Sequence, residues 1–132
     1  MSKMVIMRGL PGSGKSTRAR EIAAQICATI CSTDDFFVVD GKYVFDPSKL
    51  GINHALNLKF AQMVISSGRN VIIDNTNVLR SHMQPYIDAA QRSGYEVEIV
   101  EVTCDINTCI ARNIHGVPEV AIRRMAAQWE EA

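Results

Sequence analysis

The sequence predicts an α/β fold, a four-stranded parallel sheet with helices on both faces in a three-layer sandwich. Three observations carry this. Short aliphatic runs alternate with amphipathic stretches along the whole chain. The first and third aliphatic runs lack polar alternation, the mark of strands buried on both faces. The 132 residues, 47% hydrophobic and 21% charged, suffice for one core and argue against disorder or a coiled coil.

Lys3–Arg8 reads as a buried strand that ends in Gly9. Ser16–Ile26 is a helix, with Ala19, Ile22, Ala23 and Ile26 at helical spacing. Ala28–Ser32 is a second strand. Val38–Phe45 carries Asp40-Gly41 between β-formers, a hairpin with a tight primed turn. A helix over Ser48–Ser66 is expected to turn Leu56, Phe60, Met63 and Val64 inward, and Gly68 ends it. Asn70–Asp74 is the third strand, Arg80–Arg92 a helix, and Tyr95–Val102 the fourth strand. Asp105–Asn113 and Pro118–Trp129 are helices around a loop at His115-Gly116-Val117. Residues 1–132 therefore read as one domain, with no linker or repeat.

Lys plus Arg and Asp plus Glu each number 14, for a formal net charge of zero. This excludes a protein that coats nucleic acid by charge alone. No apolar run reaches the ~18 residues of a membrane span. The first eight residues are too short and too soon charged for a signal peptide. Cys27, Cys31, Cys104 and Cys109 show neither C-x-x-C nor zinc spacing, so reduced thiols, no disulfides and a cytoplasmic location are expected.

Gly9-Leu10-Pro11-Gly12-Ser13-Gly14-Lys15-Ser16 fits G-x-x-x-x-G-K-[ST] between a buried strand and an amphipathic helix. Such a loop aims backbone N–H groups at phosphate oxygens, with the helix N-terminus behind them. Lys15 then reaches the β- and γ-phosphates, and the Ser16 hydroxyl ligates Mg²⁺. Gly12 and Gly14 are the positions expected to need positive φ or close backbone approach. ATP and Mg²⁺ are the cofactors this pattern predicts, with residues 9–17 as the phosphate loop.

Asp34 and Asp35 follow the second strand, at the sheet edge where α/β folds place ligands. One carboxylate there can take a proton from an attacking hydroxyl, and Asp-Asp is equally a helix N-cap sequence. Asp74 closes the third strand ahead of Asn75-Thr76-Asn77. It is either an acid holding the water shell of Mg²⁺ or the start of a polar turn. Arg112, Arg123 and Arg124 flank the 113–117 loop, with Gly116 as a hinge. They are either a lid closing over phosphate or solvated helix faces. His115 reads as a loop hydrogen-bonder, and His54 and His82 receive no role.

Gly12-Ser13-Gly14-Lys15-Ser16-Thr17, Asp34-Asp35-Phe36, Thr76-Asn77, Arg112-Asn113 and Pro118 with Ile122-Arg123 together resemble a known family. The chain is similar to the phage-type polynucleotide 5′-hydroxyl kinases and the small P-loop kinases grouped as AAA-family ATPases. The resemblance implies a kinase-type P-loop fold with strand order 2-3-1-4 and a helical lid over 105–130. It implies transfer of the γ-phosphate of ATP to a 5′-hydroxyl of nucleic acid or a nucleoside, with Asp34 as general base. Lys15, Arg112 and Arg123 join Asp34 as catalytic residues. Gly9, Pro11, Gly12, Ser13, Gly14, Ser16, Thr17 and Arg112 line the nucleotide, and Ser16 and Asp74, through water, serve the metal.

The acceptor side is expected to comprise Asp35, Phe36, Phe37, Tyr43, Thr76 and Asn77, walled by the hairpin and helix over 38–66. The aromatic residues there are free either to stack on a base or to pack as ordinary core. The sequence departs from the phage pattern at Phe37, where that family has an arginine, and its lid is shorter and less basic. A small-molecule kinase and a non-catalytic ATP-binding module are the rival readings.

Overall fold

The structure, a computed structural model, describes residues 2–113 and 116–132. Four parallel strands form the sheet: β1 (Lys3–Arg8), β2 (Thr29–Cys31), β5 (Val71–Asp74) and β6 (Glu96–Glu101). Their order is β2-β5-β1-β6, so the main strands run 2-3-1-4 in chain order, as expected. Met7 of β1 stands opposite Asp74 of β5, and Ile73 of β5 opposite Cys31 of β2. The carboxyl ends of the three strands therefore open on one edge, and the phosphate loop, the Asp34 turn and Asp74 all leave from it.

Alternation along β1 feeds two layers of core. Met4 and Ile6 face α2 (Leu50–Ser66) and α3 (Arg80–Arg92), joining Val71, Ile73, Val64, Ile65, Met83 and Ala90. Val5 and Met7 face α1 (Lys15–Ile26), joining Ala19, Ile22 and Ile72. Each buried Val, Ile or Met among them contributes about 1.5–3 kcal/mol of transfer free energy. A strand buried on both sides has no polar face to alternate, which is why β1 and β5 read as unbroken aliphatic runs.

The hairpin forms between β3 (Val38–Val39) and β4 (Lys42–Tyr43), a two-stranded sheet of its own. Asp40 and Gly41 both have positive φ, 51° and 78°, the geometry of the primed turn. A 3₁₀ turn over Thr33–Phe37 precedes it, with Ser32 at its N-cap. Asp34 and Asp35 lie inside that first turn, so neither carboxylate is the cap. A second 3₁₀ turn, Pro47–Lys49, leads into α2, and the Asp46 side chain accepts from Ser48 N–H there.

The expected inward face of α2 is corrected. Leu56, Phe60 and Met63 are exposed, and only Val64 of that set is buried. The buried face is Asn53, Asn57, Ala61, Val64 and Ile65. Two asparagines are drawn in because they satisfy main-chain carbonyls at the end of β2 and the turn after it. Asn57 Nδ2 donates to Cys31 O at 3.4 Å and to Tyr86 Oη at 3.0 Å, and Asn53 Nδ2 donates to Phe36 O at 3.3 Å.

The last two helices are α4 (Ile106–Arg112) and α5 (Glu119–Gln128). Asp105 caps α4 by accepting from Asn107 N–H and Thr108 N–H. Pro118 sits at the N-cap of α5 rather than at its first residue. Asn113 bridges the connection, its amide donating to Val117 O and its Oδ1 accepting from Val117 N–H. Gly116 has φ 67°. His115 lies outside the described residues. The four cysteines are free thiols, and among the described residues no helix is long and apolar enough to cross a membrane.

Candidate active site

The phosphate loop joins β1 to α1. Gly14 takes φ 95° at the N-cap of α1, which frees the first helical N–H groups to point out of the helix. Gly12 has φ 84° and lies against α4: a Cβ there would fall 2.0 Å from Cys109 O. These are the two glycines expected to be special, and each is so for a different reason. Gly9 is held by its own N–H, which donates to Thr76 O at 3.2 Å. Ser13 is buried and its Oγ has no hydrogen-bond partner in the protein. Pro11 is half-buried, and Thr17 is exposed in the first turn of α1.

Lys15, Ser16 and Asp74 meet at one point. Lys15 Nζ is 3.1 Å from Asp74 Oδ1, and Ser16 Oγ donates to Asp74 Oδ2 at 2.9 Å. Both partners of the ion pair are largely buried, their side chains 11% and 6% exposed. Asp74 Oδ1 is fully enclosed and receives no well-directed hydrogen bond besides that ion pair. One hydroxyl and one carboxylate with spare acceptor capacity, beside a loop built for phosphates, suit a hard, oxygen-seeking Mg²⁺. Among the described residues no cluster of three or more His, Cys, Asp or Glu offers a metal cage. A magnesium that keeps its waters and borrows phosphate oxygens needs none.

On the neighbouring strand edge, Asp34 is half-buried and Asp35 exposed. Tyr43 Oη donates to Asp34 Oδ1 at 3.2 Å. Burial first, then the Asp34 charge and this bond, push the Tyr43 hydroxyl up to about 12, so it remains a donor at any neutral pH. The hairpin thus delivers a fixed donor onto the candidate base. Tyr43→Phe should remove one hydrogen bond worth about 1 kcal/mol and slow phosphoryl transfer about fivefold. ATP binding should not change, and initial rates at saturating and subsaturating ATP check both halves.

Sequence reasoning missed His54. Its Nδ1 lies 3.0 Å from Thr33 Oγ1, one residue before Asp34. Burial, and then the proximity of His82, lower its pKa, against the opposing pull of Asp34. No local pattern links residues 33 and 54; packing of α2 on the 3₁₀ turn brings them together. Arg8 was also missed as more than the end of a strand. A charged residue closing an aliphatic run directly before Gly9 was the available clue.

Two acceptor-side expectations are corrected. Phe37 is 2% exposed and packs against Phe45 and Tyr43, with ring centroids 5.1 and 6.2 Å away, so it is core and not a stacking platform. Asn77 is buried at φ 50°, its amide donating to Met7 O at 2.7 Å, so it braces the end of β1. Phe36 and Thr76 remain half-buried near the edge. Arg112 is exposed in the last turn of α4. Arg123 is exposed on α5 and reaches Glu119 Oε2 and Asn107 Oδ1, each at 3.4 Å.

Comparison with known proteins bears on the fold and the family. Human NEDD4-binding protein 2 is 37% identical over 133 residues, matching 96% of this chain; the chain spans 8% of that protein's length. The structure of the Pnkp1/Rnl/Hen1 RNA repair complex contains a chain that superposes with TM-score 0.79 at 22% identity, over 97% of this chain and 44% of that one. The Mycobacterium tuberculosis APS kinase CysC, in complex with AMPPNP and APS, superposes with TM-score 0.67 at 20% identity, over 87% of this chain and 70% of that one. The fold is that of the P-loop kinases. The family described as AAA domain matches residues 4–131, nearly the whole sequence, and the chain belongs to that family.

Proposed function

We propose that the protein is an ATP-dependent kinase that moves the γ-phosphate of ATP to a 5′-hydroxyl at a polynucleotide or oligonucleotide end, and that residues 1–132 form one kinase domain. The observation that carries the reading is the meeting of Lys15 and Ser16 on the Asp74 carboxylate, one strand away from the turn that holds Asp34. The phosphate loop and Lys15 hold the β- and γ-phosphates. Ser16, with Asp74 through water, would hold Mg²⁺, which when bound neutralises charge on the β,γ-bridge.

Asp34 accepts the proton of the acceptor hydroxyl as its oxygen bonds to the γ-phosphorus, and the bond from that phosphorus to the β,γ-bridging oxygen breaks. ADP leaves with the bridging oxygen. Arg112 and Arg123, on the lid over 105–130, meet the charge that develops on the phosphoryl oxygens. Both are exposed on α4 and α5, so they reach the site when the lid closes. Asp35, Phe36 and Thr76 line the acceptor side.

A small-molecule acceptor such as a nucleoside or sugar is the second reading. Zero net charge favours it, as does the burial of Phe37, which leaves the Asp34 turn with neither a cation nor a stacking ring at that position. Labelled ATP with magnesium, offered to 5′-hydroxyl DNA, 5′-hydroxyl RNA and a panel of nucleosides and sugars, separates the two. Label on oligonucleotide ends is the expected result. Label confined to small acceptors selects the second reading, and ATP binding without transfer to any acceptor overturns both.

A further inference from the structure

Arg8 closes β1 immediately before the phosphate loop, yet its side chain turns away from solvent altogether: it is 0% exposed. Among the described residues it forms no direct ion pair, though its charge also acts on the Glu130 carboxyl. Its Nε donates to Asn77 O at 2.9 Å, and one terminal nitrogen donates to Val78 O at 3.0 Å and to Glu130 O. Its Cζ lies over the Trp129 ring, 4.4 Å from the centroid. The other terminal nitrogen is enclosed and has no partner. A buried cation is costly unless its donors are met, and a planar fork that can bond carbonyls while lying over an indole is what arginine alone offers.

Three distant pieces of chain meet on this one group: the root of the phosphate loop, the exit of β5, and the tail that follows α5. Further bonds hold the tail in place. Glu130 N–H donates to Val78 O at 3.0 Å, and the Glu130 carboxylate accepts from Arg80 N–H at 2.7 Å and from Arg80 Nε at 3.2 Å. At its other end the α4–α5 arm presses on the same loop, through Cys109 against Gly12. Arg123 ties the two helices to each other through Asn107. The arm therefore leaves the sheet beside the phosphate loop and returns to the residue just before it.

We propose that Arg8 and Trp129 form a clasp that anchors the α4–α5 arm to the root of the phosphate loop, making both positioning residues for Arg112 and Arg123. Nucleotide in the loop and the seat of the arm are then mechanically linked. The catalytic consequence rests on the kinase reading above; the anchoring itself does not. Neither side chain touches nucleotide or acceptor in this scheme.

Trp129→Ala tests it, because Trp129 is half-buried on the tail and its loss spares the core. In hydrogen exchange of the whole chain, ADP with magnesium should protect the amides of 106–112 and 119–128 in the wild type. Trp129→Ala should lose that protection in 119–128 by at least tenfold, while protection of the core strands β1 and β5 is unchanged. Trp129→Phe, which restores a ring over Arg8, should recover most of it.

If transfer is measured, Trp129→Ala should lower kcat about tenfold or more with little change in the KM for ATP. In an Arg123→Ala background it should cost less than twofold, the non-additivity expected of a residue that acts through another. Equal protection of 119–128 in wild type and Trp129→Ala overturns the clasp. So does an equal loss of protection in β1 and β5, since that marks general destabilisation. A chain that transfers phosphate to no acceptor but loses protection as described sinks the kinase reading and leaves the clasp standing.

Discussion

Asp34→Asn should abolish most phosphoryl transfer, by about 10²- to 10⁴-fold, the range expected for loss of a positioned general base. The substitution keeps size and shape. Its amide oxygen can still accept from Tyr43 Oη, now 3.2 Å from Asp34 Oδ1, so the hairpin keeps its seat on the 3₁₀ turn. What is lost is the ability to take a proton. ATP affinity should be unaffected, because Lys15 and Ser16 at the start of α1 are held by Asp74 of β5, not through Asp34. Asp40→Asn is the control: the same chemical change at the exposed hairpin tip, at a φ of 51° that asparagine tolerates. Transfer rates at saturating ATP, with ADP affinity measured alongside, decide it. A rate within threefold of wild type for Asp34→Asn would remove Asp34 as the base and make the adjacent, exposed Asp35 the next carboxylate to substitute.

How far the sequence revealed this arrangement depended on whether the relevant information was local. The phosphate loop was legible because strand, glycine spacing and helix are contiguous, and Gly12 and Gly14 do take positive φ. The hairpin was legible because Asp40-Gly41 can hardly do anything else between β-formers. The inward face of α2 was misread for a physical reason. Hydrophobic periodicity cannot anticipate that Asn53 and Asn57 will be buried to satisfy Phe36 O and Cys31 O, displacing Leu56, Phe60 and Met63 to the outside. Asn77 looked like a ligand-side group and proved to be a brace on β1. The bond between His54 and Thr33 and the stack of Arg8 on Trp129 join residues that only the tertiary fold makes neighbours. Those contacts decide how the site is held, whereas the short motifs decide what chemistry it can hold.

Gly12→Ala should be the most damaging glycine-to-alanine change among the eight glycines, and Gly14→Ala shows why. Both positions have positive φ, 84° and 95°, so both alanines pay about 1–2 kcal/mol for the wrong hand of backbone. At Gly14 a Cβ meets no protein atom within 4 Å, so nothing is added to the cost of folding. At Gly12 the same Cβ falls 2.0 Å from Cys109 O and 2.9 Å from Cys109 C, both main-chain atoms of α4 that no rotamer can move aside. Either the loop or the helix must shift, an overpacking cost of typically about 1–3 kcal/mol more. The combined penalty of about 2–5 kcal/mol corresponds to a loss of about 30-fold to several thousand-fold in whichever equilibrium absorbs it. Thermal unfolding and ADP titration together show where it goes. If α4 gives way, ADP binding weakens modestly and exchange of the 106–112 amides rises. If the loop gives way, ADP binding is lost and α4 is unchanged. Equal effects of Gly12→Ala and Gly14→Ala on thermal unfolding would mean that backbone handedness alone sets the cost and that the contact with α4 is not held in solution. The first outcome would also explain why the residue three before Lys15 must be bare: the phosphate loop is one wall of the hinge on which the α4–α5 arm rests.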